Sequence, residues 1–253
     1  MFGLFKKKKE EKPAEQERPN GIPGTAVQMI LNPCMKNVER LDVNIGEAGC
    51  DIHRLISSIS SLLKKKRIST ICISGDRIIE RFDDIKDMLE IAAAYNIENR
   101  MLCEEELDTG NLPIDEILNY GVSAVVVKDG LKEPGTIRKD DRELRVLPWE
   151  SQAELQPEAV RLCGKGPLSQ KLDDVRYLAV EPDGTVRVCG FPIGNLFEME
   201  LVDIIEEYDP YSNPIMAMII QGGPDAVSAL CTEEELPMER CERCRAVVSR
   251  LFS

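Results

Sequence analysis

Ile68-Ser-Thr-Ile-Cys-Ile-Ser74 is a β-branched, largely apolar run that breaks at Gly75 and gives way to Phe82, Ile85, Leu89 and Ala92 at helical spacing. A buried strand followed by an amphipathic helix is one βα unit, and the unit recurs on both sides. Upstream, an apolar run at 26–31 leads to a helix beginning at Asp51, with Ile52, Leu55, Ile56, Ile59 and Leu63 on one face. Downstream, a weaker strand at 99–103 precedes a short helix opened by Pro113, with Ile114, Ile117 and Leu118 inward. Residues 122–127 then form a fully apolar strand. Such alternation predicts an α/β fold with a parallel sheet covered by helices, either an open doubly wound sheet or a section of a barrel. Periodicity does not choose between them.

The chain has 253 residues, with 32 Lys and Arg against 45 Asp and Glu, a net charge of −13. That balance argues against a nucleic-acid backbone or an anionic membrane as the main partner. No apolar run reaches the length of a membrane span, so no stable membrane insertion is expected. The opening Met1-Phe-Gly-Leu-Phe5 followed by Lys6–Lys9 reverses the order of a secretory signal, which predicts a cytoplasmic protein. Residues 1–24, basic and then punctuated by Pro13, Pro19, Gly21 and Pro23, read as a disordered tail. The strand–helix alternation occupies 25–149. Lys128 to Glu143 is charged and broken by Gly130, Pro134 and Gly135, reading as an excursion or the start of a linker, and a second unit spans 150–253.

In that second unit, Pro182-Asp-Gly184 lies between Arg176–Glu181 and Thr185–Val188, the turn chemistry of a β-hairpin whose second strand ends at Cys189. After Gly194-Asn195 comes a helix with Leu201, Ile204, Ile205 and Tyr208 on one face, and then Cys241-Glu-Arg-Cys244. Nine cysteines in a reducing compartment divide between buried small apolar residues and metal or redox ligands. Four thiolates complete a tetrahedral metal site or a cubane cluster, and a CxxC supplies two of them on one turn. Cys163 and Cys189 are the best remaining candidates.

The stretch from Cys163 to Cys244 resembles the auxiliary-cluster domain, SPASM or its shorter twitch form, at the C-terminus of radical SAM enzymes. The residues that carry the resemblance are Cys163, Tyr177-Leu-Ala-Val-Glu-Pro-Asp-Gly-Thr-Val-Arg-Val-Cys189, Ile193-Gly-Asn195 and Cys241-Glu-Arg-Cys244. It implies that Cys163, Cys189, Cys241 and Cys244 ligate one [4Fe-4S] cluster, with Cys231 the alternative to Cys163. The N-terminal half is similar to a shortened radical SAM (β/α) partial barrel. Gly75 and Asp76 sit where that family contacts the amino group of S-adenosylmethionine. Asn32-Pro-Cys34-Met-Lys sits where a first strand should run into the CxxxCxxC loop, yet no cysteine follows Cys34 until Cys50. A cluster that leaves one iron open for the cofactor needs three protein thiolates, so the family's reductive chemistry is not expected here.

The other candidates have plainer readings. Cys72 and Cys103, in or beside apolar strands, read as core thiols, and His53, the only histidine, reads as a surface residue. Asp76 and Asp129 at strand ends suit either a crevice site or a turn; Trp149 and Phe191 read as core or interface aromatics. Three functions remain. The chain is a degenerate radical SAM-like protein that keeps one auxiliary cluster and acts as a binding or electron-transfer partner of a protein or peptide in a maturation pathway. Alternatively, the same thiolates hold a structural Zn²⁺ in a scaffold protein. In the third reading it is an active S-adenosylmethionine-dependent enzyme of peptide or cofactor maturation.

Overall fold

The computed structural model describes residues 32–46, 51–64, 68–103, 114–127, 135–148, 170–238 and 240–252. Strands β1 (Arg40–Asn44), β2 (Thr70–Gly75), β3 (Glu98–Cys103) and β4 (Val122–Val127) alternate with helices α1 (Ile52–Lys64), α2 (Phe82–Ala94) and α3 (Ile114–Asn119). The four strands are parallel neighbours in chain order. Each crossover therefore steps the same way, and right-handed crossovers place all three helices on one face. Packing agrees: Leu55 and Ile59 of α1, Ile85 and Leu89 of α2, and Ile117 of α3 share one core with Leu41, Val43, Ile71, Ile73, Met101 and Val125. Asp51 begins α1 by accepting the Arg54 N–H at 3.0 Å.

The opposite face of these strands is different. Asp42, Cys72, Arg100 and Ala124 line up across β1 to β4, and Cys72, Leu102, Ala124, Val126 and Leu147 form a separate, smaller apolar cluster. Arg40 and Asp42, one pleat apart on β1, are almost fully buried and paired, with Nη2 to Oδ1 at 2.7 Å.

Two antiparallel additions extend the parallel core. Strands β5 (Gly135–Lys139) and β6 (Arg142–Pro148) form a hairpin turning at Asp140, and β6 adds in parallel to β4. At the other edge β7 (Tyr177–Val180) adds in parallel to β1, followed by antiparallel β8 (Thr185–Val188) and β9 (Phe191–Asn195). The result is one open sheet ordered β5-β6-β4-β3-β2-β1-β7-β8-β9. Helices α4 (Leu201–Glu207) and α5 (Pro214–Gly222), a 3-10 helix (Pro224–Leu230) and α6 (Arg240–Phe252) complete the chain. Asn213 caps α5, its Oδ1 accepting from the N–H groups of Ile215 and Met216, with Pro214 at the first helical position. No described helix is long and apolar enough to cross a membrane.

The α/β class and the covered parallel strands are as expected; the details differ in three places. The run at 26–31 lies outside the described residues, and the first described strand is Arg40–Asn44, beyond Cys34. Asn32-Pro-Cys34 is thus not the end of that strand; residues 33–37 form a turn before it. The charged stretch taken for an excursion holds β5 and the start of β6, an exposed hairpin. The segments on either side of position 150 also share one sheet, because β7 pairs with β1 from Arg40↔Tyr177 to Val43↔Val180.

Candidate metal centre

The β7–β8 turn explains the glycine five residues before Cys189. Gly184 has φ +81°, a conformation that costs a side chain, and a Cβ there would meet Asn195 Oδ1 at 2.8 Å and the Phe197 ring at 3.1 Å. The turn is stitched by Gly184 N–H to Glu181 O at 2.9 Å and by Thr185 N–H to Asp183 Oδ1 at 2.9 Å. The second bond holds the Asp183 carboxyl below the usual range. Asn195 closes it from β9, donating to Asp183 O at 3.0 Å and accepting from Phe197 N–H at 2.8 Å. Gly194 beside it lets α4 pack directly on β9, since a Cβ would meet Ile204 Cγ1 at 2.8 Å. The Ile193-Gly-Asn195 motif is thereby a packing and turn device.

The far end of the hairpin carries the thiol. Val188 pairs with Phe191, leaving Cys189-Gly190 as a two-residue turn, and Cys189 takes the left-handed value φ +63°. Non-glycine residues seldom adopt that region without a local reason. This tip rests on the first turns of α6: a Cβ on Gly190 would lie 3.4 Å from Arg245 Cγ and 3.8 Å from Arg245 Cα. Cys244, the neighbour of Arg245, is half-buried against the main core, and Cys241 precedes it by three residues on the same helix. The positive end of the helix dipole favours thiolate near the start of α6.

Cys231 lies on the segment packed along α6, where Arg243, the neighbour of Cys244, donates to Ser228 Oγ at 2.8 Å. Its thiol donates to Val227 O at 3.4 Å, and Arg250 donates to the adjoining Leu230 O at 2.8 Å. Arg250 is six residues beyond Cys244, about 9 Å along α6 at the usual rise. Cys163, Asp129 and Trp149 lie outside the described residues. Cys72 and Cys103 are buried in strands, as expected for core thiols; burial pushes the Cys72 thiol up, and the neighbouring Asp42 carboxylate adds to it. Phe191 is core and His53 is exposed. Gly75 and Asp76 join the ends of β1 and β2: a Cβ on Gly75 would meet Ile45 Cγ1 at 2.4 Å, and Asp76 N–H donates to Gly46 O at 3.1 Å.

One thiol that the sequence placed in the N-terminal half belongs spatially to this C-terminal unit. Cys34 is 8% exposed and its carbonyl accepts the Val175 N–H at 2.8 Å, two residues before β7. Asn32 fixes the turn: Oδ1 accepts the Cys34 N–H at 3.0 Å, while Nδ2 donates to the carbonyls of Ile205, Glu206 and Tyr208 at 2.7, 3.2 and 3.1 Å. The Tyr208 hydroxyl donates to Leu172 O at 2.8 Å, and burial, then the charges of Cys189 and Cys34, push its pKa up. Beside Cys34 opens a cleft of about 470 Å³ lined by Asn32, Pro33, Glu206, Tyr208, Asp209 and Tyr211. Burial, followed by Asp173, Asp209 and Asp174, raises the Cys34 thiol, which favours its protonated form until a cation is bound.

Among the described residues no three His, Cys, Asp or Glu side chains are already gathered around a metal position. The donor chemistry nevertheless fits a thiophilic centre, because sulfur is the ligand type at the hairpin tip and on the first turns of α6.

No family model matches the chain, and no curated protein matches it. Among solved structures it is similar to RSP, a Rex-family repressor, at 13% identity with a TM-score of 0.23. The match covers 51% of this chain and 60% of the repressor, and so slight a likeness carries no argument.

Proposed function

We propose that the chain is a radical SAM-like iron–sulfur protein that holds one auxiliary [4Fe-4S] cluster in its C-terminal segment and acts as a binding or electron-transfer partner in the maturation of a protein or peptide. The observation that carries the reading is the meeting of the Cys189-Gly190 tip with Arg245 on α6, beside Cys244. Cys189, Cys241 and Cys244 would supply three thiolates, and the fourth comes from elsewhere in the chain. When bound, the cluster would supply one-electron transfer and a cross-link between hairpin and helix. The protein's own part is to hold those thiols on a rigid turn and a helix start.

The winding supports the family reading. Strands β1 to β4 in sequential order with their helices on one face wind as a (β/α) barrel section does, while the sheet as a whole is open and its order turns back where β7 joins the outer side of β1. S-adenosylmethionine cleavage is not part of the proposal. After β1 the chain offers only Cys50 before α1, and Gly75 has a packing reason of its own. Anaerobic reconstitution tests the proposal: about four irons and four sulfides per chain are expected, with no 5′-deoxyadenosine formed from S-adenosylmethionine under reducing conditions. One tightly held zinc and no sulfide would instead establish the scaffold reading. Formation of 5′-deoxyadenosine would establish the enzyme.

A further inference from the structure

We propose that Cys34 is the fourth cluster ligand, carried to the C-terminal site across the sheet and taking the place that the sequence assigns to Cys163. The inference rests on the cluster reading above and concerns which thiol completes the set.

Four observations converge on it. Cys34 belongs to the β7 entry by a backbone bond, Cys34 O accepting from Val175 N–H at 2.8 Å. Its turn is anchored at a second place, the C-terminal end of α4, by the three carbonyls that Asn32 Nδ2 reaches. A third tie comes from Asn37, whose Nδ2 donates to Asp174 Oδ1 at 2.6 Å. These partners lie more than 130 residues away in the chain, so the segment is held against the C-terminal unit at three points. Fourth, β7 and β8 pair antiparallel with Ala179 opposite Arg187 and Val180 opposite Val186, a register that brings the β7 entry, where Cys34 is bonded, to the same end of the hairpin as the Cys189 tip.

The cleft beside Cys34 gives the position a mouth through which iron and sulfide can enter. Ligation replaces the S–H bond with an Fe–S bond and releases the proton to solvent, so no oxidant is needed for this step. The thiolates close around the cluster as it forms, as is usual where metal binding and local ordering are coupled.

The test uses the full chain, reconstituted anaerobically, as wild type, Cys34→Ser and Cys163→Ser, with iron, acid-labile sulfide and electron paramagnetic resonance as readouts. The expected result is an unchanged cluster in Cys163→Ser and loss of at least half of the iron in Cys34→Ser, with any residual signal that of a three-iron species. A cluster kept in Cys34→Ser and lost in Cys163→Ser overturns the inference while leaving the cluster reading intact. An iron-free wild type overturns the cluster reading itself. Circular dichroism melts of the metal-free variants separate ligand loss from misfolding. Should Cys34→Ser fail to fold, alkylation of wild type in mild urea decides instead. Cluster loading should hide Cys34 and leave Cys163 reactive; the reverse pattern refutes the assignment.

Discussion

Removing the Asp42 carboxylate should expose how strongly this fold depends on a charge pair inside its sheet. Arg40 places Nε 3.1 Å and Nη2 2.7 Å from Asp42 Oδ1, and the two side chains are 5% and 12% exposed. Unit charges about 4 Å apart interact by about 4 kcal/mol at an effective dielectric constant near 20. Breaking such a buried pair from one side leaves an uncompensated guanidinium and costs about 3–5 kcal/mol. Asp42→Ala should therefore lose about that much stability in urea denaturation at pH 7.5. Arg40→Met with Asp42→Leu should recover most of it, because a well-packed apolar pair avoids both desolvation costs. The pH dependence has a defined sign. Burial outweighs Arg40 and pushes the Asp42 carboxyl up to about 7, so between pH 4 and 7 the folded chain holds a proton that the unfolded chain releases, and the protonated side chain still accepts the Arg40 N–H bonds that alanine would leave unmade. Its contribution is fully present below pH 4 and is lost as pH rises through 7, by about 4 kcal/mol at most. Asp42→Asn should flatten that slope. A cost below about 1 kcal/mol for Asp42→Ala, or a double variant no better than the single, would refute the reasoning.

Gly184→Ala forces a Cβ into a left-handed turn and against Asn195 and Phe197. It should lower stability by about 1–3 kcal/mol and reduce iron uptake by loosening the hairpin that presents Cys189; a Tm and iron content equal to wild type would contradict this. Asn32→Ala strands three carbonyls at the end of α4 and the Cys34 N–H. It should cost about 1–3 kcal/mol and speed amide exchange around 172–176 and 205–208, where unchanged protection would show that the anchor is dispensable.

The parts of the fold legible in the sequence were those whose burial makes a periodic pattern. β2 and β4 are continuous apolar runs, and α1 and α2 carry their core residues at helical spacing. β1 was not legible because Arg40 and Asp42 interrupt its run, and nothing local shows that the two neutralise each other on the buried far side of the sheet. β5 has no buried position and β6 is mostly exposed and charged until its last residues, the composition of a loop as much as of an edge hairpin. At the candidate site, Pro182-Asp-Gly184 announced the hairpin because turns are written in local chemistry. The approach of Cys34 could not be read, since it depends on the pairing of β7 with β1 and on a hydrogen-bond anchor 173 residues distant. The Asn at position 32, two residues before a cysteine, was the one local hint, as Asn side chains commonly fold back onto the N–H two residues on.

The central claim is that thiolates of the hairpin and of α6 hold one iron–sulfur cluster. Its most direct test is anaerobic iron and sulfide content, joined to electron paramagnetic resonance of the reduced protein, for wild type and for the Cys241→Ala, Cys244→Ala variant. The account predicts about four irons and four sulfides per wild-type chain, with the spectrum of a single reduced cubane that vanishes in the variant. A wild type without iron or sulfide, or a cubane signal undiminished in the variant, would contradict it.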